Sequence, residues 1–108
     1  MAELDPADEA YCAADVSREN GTAVIRLSGE LDMVSVERVR AVIDEALASV
    51  SERLVFDVSE LEFMDSSGIA LLISVTRKVP AVEVRSPTAI VRRIIELTGL
   101  TEILRMTP

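Results

Sequence analysis

The chain contains no histidine and no tryptophan in its 108 residues. Without histidine it lacks the usual general base, the commonest metal ligand and any phosphohistidine relay. It has one cysteine, Cys12. One thiol forms no internal disulfide and offers no CxxC pair for zinc or redox work. Cys12 is therefore expected to be a small buried apolar side chain. No G-x-S-x-G elbow and no G-x-x-x-x-G-K-[ST] loop occur, which argues against a serine nucleophile and a Walker-type nucleotide site. We expect no enzyme here: no catalytic residue, no metal and no cofactor.

Cations are also in short supply. Lys and Arg total 11 against 19 Asp and Glu, a net charge of −8. Such a field repels a phosphate backbone, and no basic stripe relieves it, so nucleic acid is not an expected partner. No apolar run approaches the ~18 residues of a membrane span. The first nine residues carry Glu3, Asp5, Asp8 and Glu9 and lack the basic and apolar regions of a signal peptide. The expected location is the cytoplasm, with no membrane contact.

What the chain does have is aliphatic bulk. Apolar residues make up 49% of it, yet aromatics are two Phe and one Tyr. Val, Ile, Leu and Ala must fill the core, which suits an α/β fold with a buried sheet. At this length one domain is expected. Residues 1–9 read as an acidic flexible arm and 10–108 as the folded domain.

The order of elements follows from periodicity. Ala10 to Val16 suggests a strand, Asn20-Gly21 a tight turn, and Val24, Ile25 and Leu27 its partner, so 10–28 reads as a β-hairpin. Gly29 is expected to end it. Ser35 is a plausible N-cap, with Glu37 in the first turn. Val36, Val39, Ile43, Leu47 and Val50 then recur at helical spacing over about fifteen residues. Leu54 to Val58 reads as a strand buried on both faces. A second helix starts near Ser66, and Pro80 ends it or lies just past it. Val82-Glu83-Val84 alternates as a strand. Ser86-Pro87 reads as a capped helix start, Gly99 as its C′ glycine, and Leu100 to Met106 as a last turn and edge strand. Alternating β and α units imply a sheet with helices packed on it.

Chemistry concentrates at Asp65-Ser66-Ser67-Gly68. This turn lies between the buried strand and the second helix, at the strand's carboxyl end, where α/β folds bind ligands and partners. Free amides and the helix dipole favour an anion there, so a phosphoserine is compatible with the site. The same residues are also ordinary helix caps. Ser28-Gly29-Glu30-Leu31-Asp32 likewise leads from a strand to a helix. Parallel strands would place both loops at one end of the sheet. Asp32 then either borders the Ser66 surface or serves its own helix. On the second helix Ile69, Leu72, Ile73 and Thr76 share a sheet-facing side. Leu71 and Val75 lie elsewhere, as an exposed docking pair or packed against other helices.

Gly29-Glu30-Leu31-Asp32, Phe63-Met64-Asp65-Ser66-Ser67-Gly68-Ile69, Ser86-Pro87 and Leu97-Thr98-Gly99-Leu100 together resemble the STAS domain family. The closest subgroup is the bacterial anti-sigma factor antagonists, and the likeness spans roughly 10–106. The resemblance implies a mixed sheet with helices on it in one domain. It implies binding to an anti-sigma factor that is also a serine kinase of the GHKL type, which frees a sigma factor. It implies phosphorylation of Ser66, reset by a PP2C-type phosphatase, and a monomer or weak dimer. Asp32 is similar to the Asp that supports kinase recognition. Partner contacts would fall on Asp32, Met33, Met64, Asp65, Ser67, Gly68, Ile69, Leu71 and Val75. The chain crosses from Thr76 to Val82 in fewer residues than the family commonly uses, and without its Gly-Gly pair, so a truncated second helix or a tightened loop is expected. The alternative is a STAS scaffold or adaptor in a stress-signalling or transporter complex.

Overall fold

A computed structural model describes residues 12–49 and 52–108. The arm and the first strand residues, Ala10 and Tyr11, lie outside the described residues, as does Val50. The elements are β1 (Ala13–Glu19), β2 (Thr22–Leu31), α1 (Val36–Leu47), β3 (Arg53–Met64), α2 (Ser66–Thr76), β4 (Ala81–Arg85), α3 (Ala89–Thr98) and β5 (Arg105–Thr107). The sheet order is β1-β2-β3-β4-β5. β1 pairs antiparallel with β2, and every later pairing is parallel. This is the expected mixed α/β domain.

The hairpin turn is as read. Asn20 (φ 53°) and Gly21 (φ 83°) both take the left-handed region, which matches the twist of the flanking strands. α1 buries Val36, Val39, Ile43 and Ala46 and leaves Glu37, Arg38 and Asp44 exposed, the stripe its spacing requires. It stops at Leu47.

Two strands run further than expected. β2 does not end at Gly29: it carries Gly29 at φ 92° within an irregular stretch and continues to Leu31. A β-bulge with glycine in the left-handed region explains how a strand passes through it. β3 likewise continues past Val58 to Met64. The two extensions pair with each other, Gly29 with Leu61, Glu30 with Phe63 and Leu31 with Met64. Each satisfies the other's backbone groups, a gain that neither segment shows alone.

The sheet has two unlike faces. Ala23, Ile25, Leu27, Leu54, Phe56, Val58, Val82 and Val84 alternate into one face and form the core with the helices. Right-handed crossovers stepping one way across the sheet place the helices together on that side. The strand is buried on both faces as expected, but by different means: on the other face Val55 is buried under charged side chains rather than under helices. Arg53 pairs with Glu83 at 3.0 Å, Arg85 with Glu19 at 3.2 Å and with Glu83 at 3.6 Å, and Arg26 with Asp57 at 3.8 Å. The Thr107 hydroxyl donates to Glu83 at 2.8 Å. Glu83 thus ties β3, β4 and the short β5 together.

Cys12 is buried and its thiol is pushed up to about 11 by desolvation. It is neutral and inert at physiological pH.

Burial pushes the Glu83 carboxyl up, but Thr107, Arg53 and Arg85 outweigh it and hold it below its usual 4.5. A carboxylate depressed by folding adds stability above its unfolded pKa and loses it as pH falls through the folded one. Glu83→Gln is expected to cost about 1–2 kcal/mol at pH 7. The gap from wild type should narrow as pH drops below 4.5. Urea titrations of both proteins across that range test this, and a pH-independent gap would contradict it.

Candidate functional site

The site is built where β2 and β3 end side by side. The Asp65 amide donates to the Leu31 carbonyl at 3.1 Å. This bond carries the ladder one step beyond the last strand pair and fixes the second loop against the first. Both acidic loops therefore share one end of the sheet, as the parallel order implies.

Asp65 is the N-cap of α2, in extended conformation. Its Oδ1 accepts the amides of Ser67 at 2.8 Å and Gly68 at 3.3 Å. Those are the orphan donors that an N-cap satisfies. A phosphate on Ser66 would therefore not find these amides free, contrary to the idea of a waiting anion cradle. Ser66 is the first residue of α2 and is exposed. Its hydroxyl has no hydrogen-bond partner among the described residues, so no such bond needs breaking before it reacts. Ser67 is half-buried with its amide committed to Asp65.

Gly68 is buried. A Cβ there would stand 2.6 Å from Met64 Cγ, 2.9 Å from Leu31 Cγ and 3.0 Å from the Leu31 carbonyl. Glycine at this position lets α2 lie on the ends of β2 and β3.

The first loop is held as firmly. Asp32 Oδ1 accepts the amides of Val34 at 3.0 Å and Ser35 at 3.1 Å. Ser35 occupies the N-cap position but forms no side-chain cap bond. Its buried hydroxyl donates to the Glu30 carbonyl at 3.0 Å and accepts from the Asp32 amide at 3.1 Å. Asp32 is thus the residue that caps this turn, and Ser35 ties the turn back to β2. Both roles proposed for Asp32 are compatible, because its cap bonds all fall on Oδ1.

Around these polar groups lies exposed apolar surface. Met33 is 74% exposed and Val34 81%. A shallow depression of about 310 Å³ adjoins Ser66, lined by Met64, Asp65, Ser66, Ile69, Ile94, Leu97 and Thr98. Leu97 is 70% exposed. Met64 and Ile69 are almost fully buried and form the floor.

Leu71 and Val75 need correcting as an exposed docking pair: they are 1% and 2% exposed. α2 packs on β3 and β4 and against α1, so a helix apolar nearly all round is covered on several sides. α3 also starts later than Ser86-Pro87 suggests. Ser86 lies in the left-handed region (φ 56°), and Thr88 is the N-cap, accepting from the Val91 amide at 3.3 Å. α2 ends at Thr76, and Pro80 stands between it and β4.

Sequence reasoning missed Ile94 and Leu97 as neighbours of Ser66. A signal existed for Leu97: it falls off the Val91–Ile95 stripe that α3 buries.

Comparisons with known proteins agree with this architecture. The family described as "Mlab, STAS domain" matches residues 14–106. An anti-sigma F factor antagonist of Lysinibacillus sphaericus is 38% identical over 90 residues, covering 79% of this chain and 75% of that protein. The anti-sigma-F factor antagonist RsfB of Mycobacterium tuberculosis is 32% identical over 94 residues, covering 84% and 77%. The crystal structure of an anti-sigma factor antagonist from Mycobacterium paratuberculosis superposes with TM-score 0.83 at 30% identity, covering 90% and 86%. Structures of the antagonist SpoIIAA in its unphosphorylated form and of Bacillus SpoIIAA in its phosphorylated form also match, with TM-scores of 0.75 and 0.67 at 30% and 29% identity. They cover 89% of this chain in both cases, and 89% and 92% of their own. The chain belongs to the STAS domain family, and its relatives there are anti-sigma factor antagonists.

Gly68→Ala tests the packing of this site. Overpacking typically costs about 1–3 kcal/mol, against a helix-propensity gain of about 1 kcal/mol. Three contacts at or under 3.0 Å, one of them to backbone, put the cost at the upper end of that range, about 2–3 kcal/mol, so a net loss of ~1–2 kcal/mol in urea denaturation is expected. A variant as stable as wild type would show that α2 sits off the strand ends without penalty.

Proposed function

We propose that this chain is an anti-sigma factor antagonist switched off by phosphorylation of Ser66. In its unmodified form it binds an anti-sigma factor that doubles as a serine kinase of the GHKL type, and so releases a sigma factor. The kinase modifies Ser66, the complex dissociates, and a PP2C-type phosphatase restores the active form. The observation that carries this reading is the exposed hydroxyl of Ser66, unbonded among the described residues and first in α2, beside an apolar depression and joined through Leu31 to the Asp32 loop. The relatives' names and the phosphorylated form of SpoIIAA support it.

The physics of the switch is electrostatic. A phosphoserine brings about −1.5 to −2 charges at neutral pH. Here it would stand next to the Asp65 carboxylate, whose Oδ1 already occupies two helix amides. Burying that charge against a partner without a matched cation costs several kcal/mol. Each ~1.4 kcal/mol is tenfold in affinity, so one phosphate suffices to separate the complex. Ser66 is favoured over Ser67 by its exposure. The exposed Met33, with Asp32 and Asp65, supplies further contacts, while Met64, Ile69 and Gly68 shape the surface from below.

Incubation with candidate anti-sigma kinases and ATP, followed by mass mapping, tests the assignment. Ser66→Ala should lose phosphorylation and keep binding. Ser66→Asp should weaken binding at least roughly tenfold. Full phosphorylation of the Ser66→Ala protein would overturn the site.

A further inference from the structure

Past Asp57–Arg85, β4 no longer pairs with β3, yet β3 continues to Met64. α3 packs against β3, and one side chain joins them by hydrogen bonds. The Thr88 hydroxyl donates to the Leu61 carbonyl at 3.2 Å and accepts the Val91 amide at 3.3 Å. A single oxygen thus caps α3 and fastens its first turn to the stretch of β3 that leads into Asp65 and Ser66. The preceding chain is tied to β5 and not to β3: Ser86 turns out of β4 in the left-handed region with its amide on the Thr107 carbonyl at 2.9 Å, and Pro87 has no amide to donate.

The consequence lies further along α3. Ile94, Leu97 and Thr98 form one wall of the depression that Ser66 borders, while Met64 and Ile69 form its floor. The floor belongs to β3 and α2, and the wall belongs to α3. We infer that Thr88 is a positioning residue, whose bridge to Leu61 sets the wall of this depression relative to Ser66 and so governs how the modifying kinase engages it. The kinase part rests on the proposed function; the geometric part does not.

Three variants separate the two bonds. Thr88→Ser keeps both. Thr88→Asp keeps a cap acceptor for Val91 but has no proton for Leu61. Thr88→Val loses both at nearly constant volume. Two readouts apply to each purified chain: methyl NMR shifts of Ile94, Leu97, Met64 and Ile69, with Ile43 of α1 as reference, and steady-state kinetics with the kinase that modifies Ser66 in wild type. We expect Thr88→Val and Thr88→Asp to move the depression's methyl signals and leave Ile43 in place. Both should raise KM roughly five- to tenfold, with kcat within about twofold, and Thr88→Ser should match wild type. A Thr88→Asp protein that behaves as wild type would overturn the bridge to Leu61. Unchanged KM in Thr88→Val and Thr88→Asp, or failure of Thr88→Ser to match wild type, would overturn the positioning role. If no kinase modifies wild-type Ser66, the proposed function fails, and the methyl shifts alone decide whether Thr88 sets the wall.

Discussion

The hydrogen bond from the Asp65 amide to the Leu31 carbonyl is the constraint on which the site depends. It sits where two parallel strands stop together, and it obliges the two loops that follow to leave the sheet as neighbours. Gly68 completes the join, because only a residue without Cβ brings α2 this close to Leu31 and Met64. Asp65 then caps α2 and Asp32 caps its own turn. The two carboxylates are structural first, and the same bonds hold them at the molecular surface. Ser66 inherits its exposure from this arrangement: its neighbours do the capping, so its hydroxyl is left over.

The rest of the domain keeps that end rigid. One face of the sheet is a closely packed aliphatic core. The opposite face is stitched by Arg and Glu side chains centred on Glu83. Exposed ion pairs contribute little individually, but Glu83 is largely buried and satisfied from three strands. A charge added at Ser66 therefore meets a framework with few soft degrees of freedom. Its effect is expected at the surface, on whatever docks there, without refolding of the domain.

Much of this was legible in the sequence, for local reasons. The spacing of Val36, Val39 and Ile43 requires a helix with one buried face. Asn20-Gly21 and Gly99 mark positions with left-handed backbone, and both were found so. The Asp65-Ser66 boundary is a helix start by composition alone. What escaped depends on pairing at a distance. The extensions of β2 and β3 are stabilised by each other, so Gly29 and Val58 looked like strand ends. Ser86-Pro87 has the composition of a cap, but the turn out of β4 spends Ser86, and Thr88 takes the role. Leu71 and Val75 could be read either as a docking pair or as packed against other helices, and the burial that decides for packing shows only in three dimensions. The resemblance to the STAS family located Ser66, while the apolar wall supplied by α3 was visible only once the fold was known.

On this framework a charge added at Ser66 is expected to act locally. Amide spectra of the wild-type chain and the Ser66→Asp variant, compared residue by residue, test this most directly. Shifts should be confined to residues 31–36, 64–69 and 94–98, the loops and wall around the site. Shifts spreading through β1 and the Glu83 lattice on the opposite face of the sheet would contradict it.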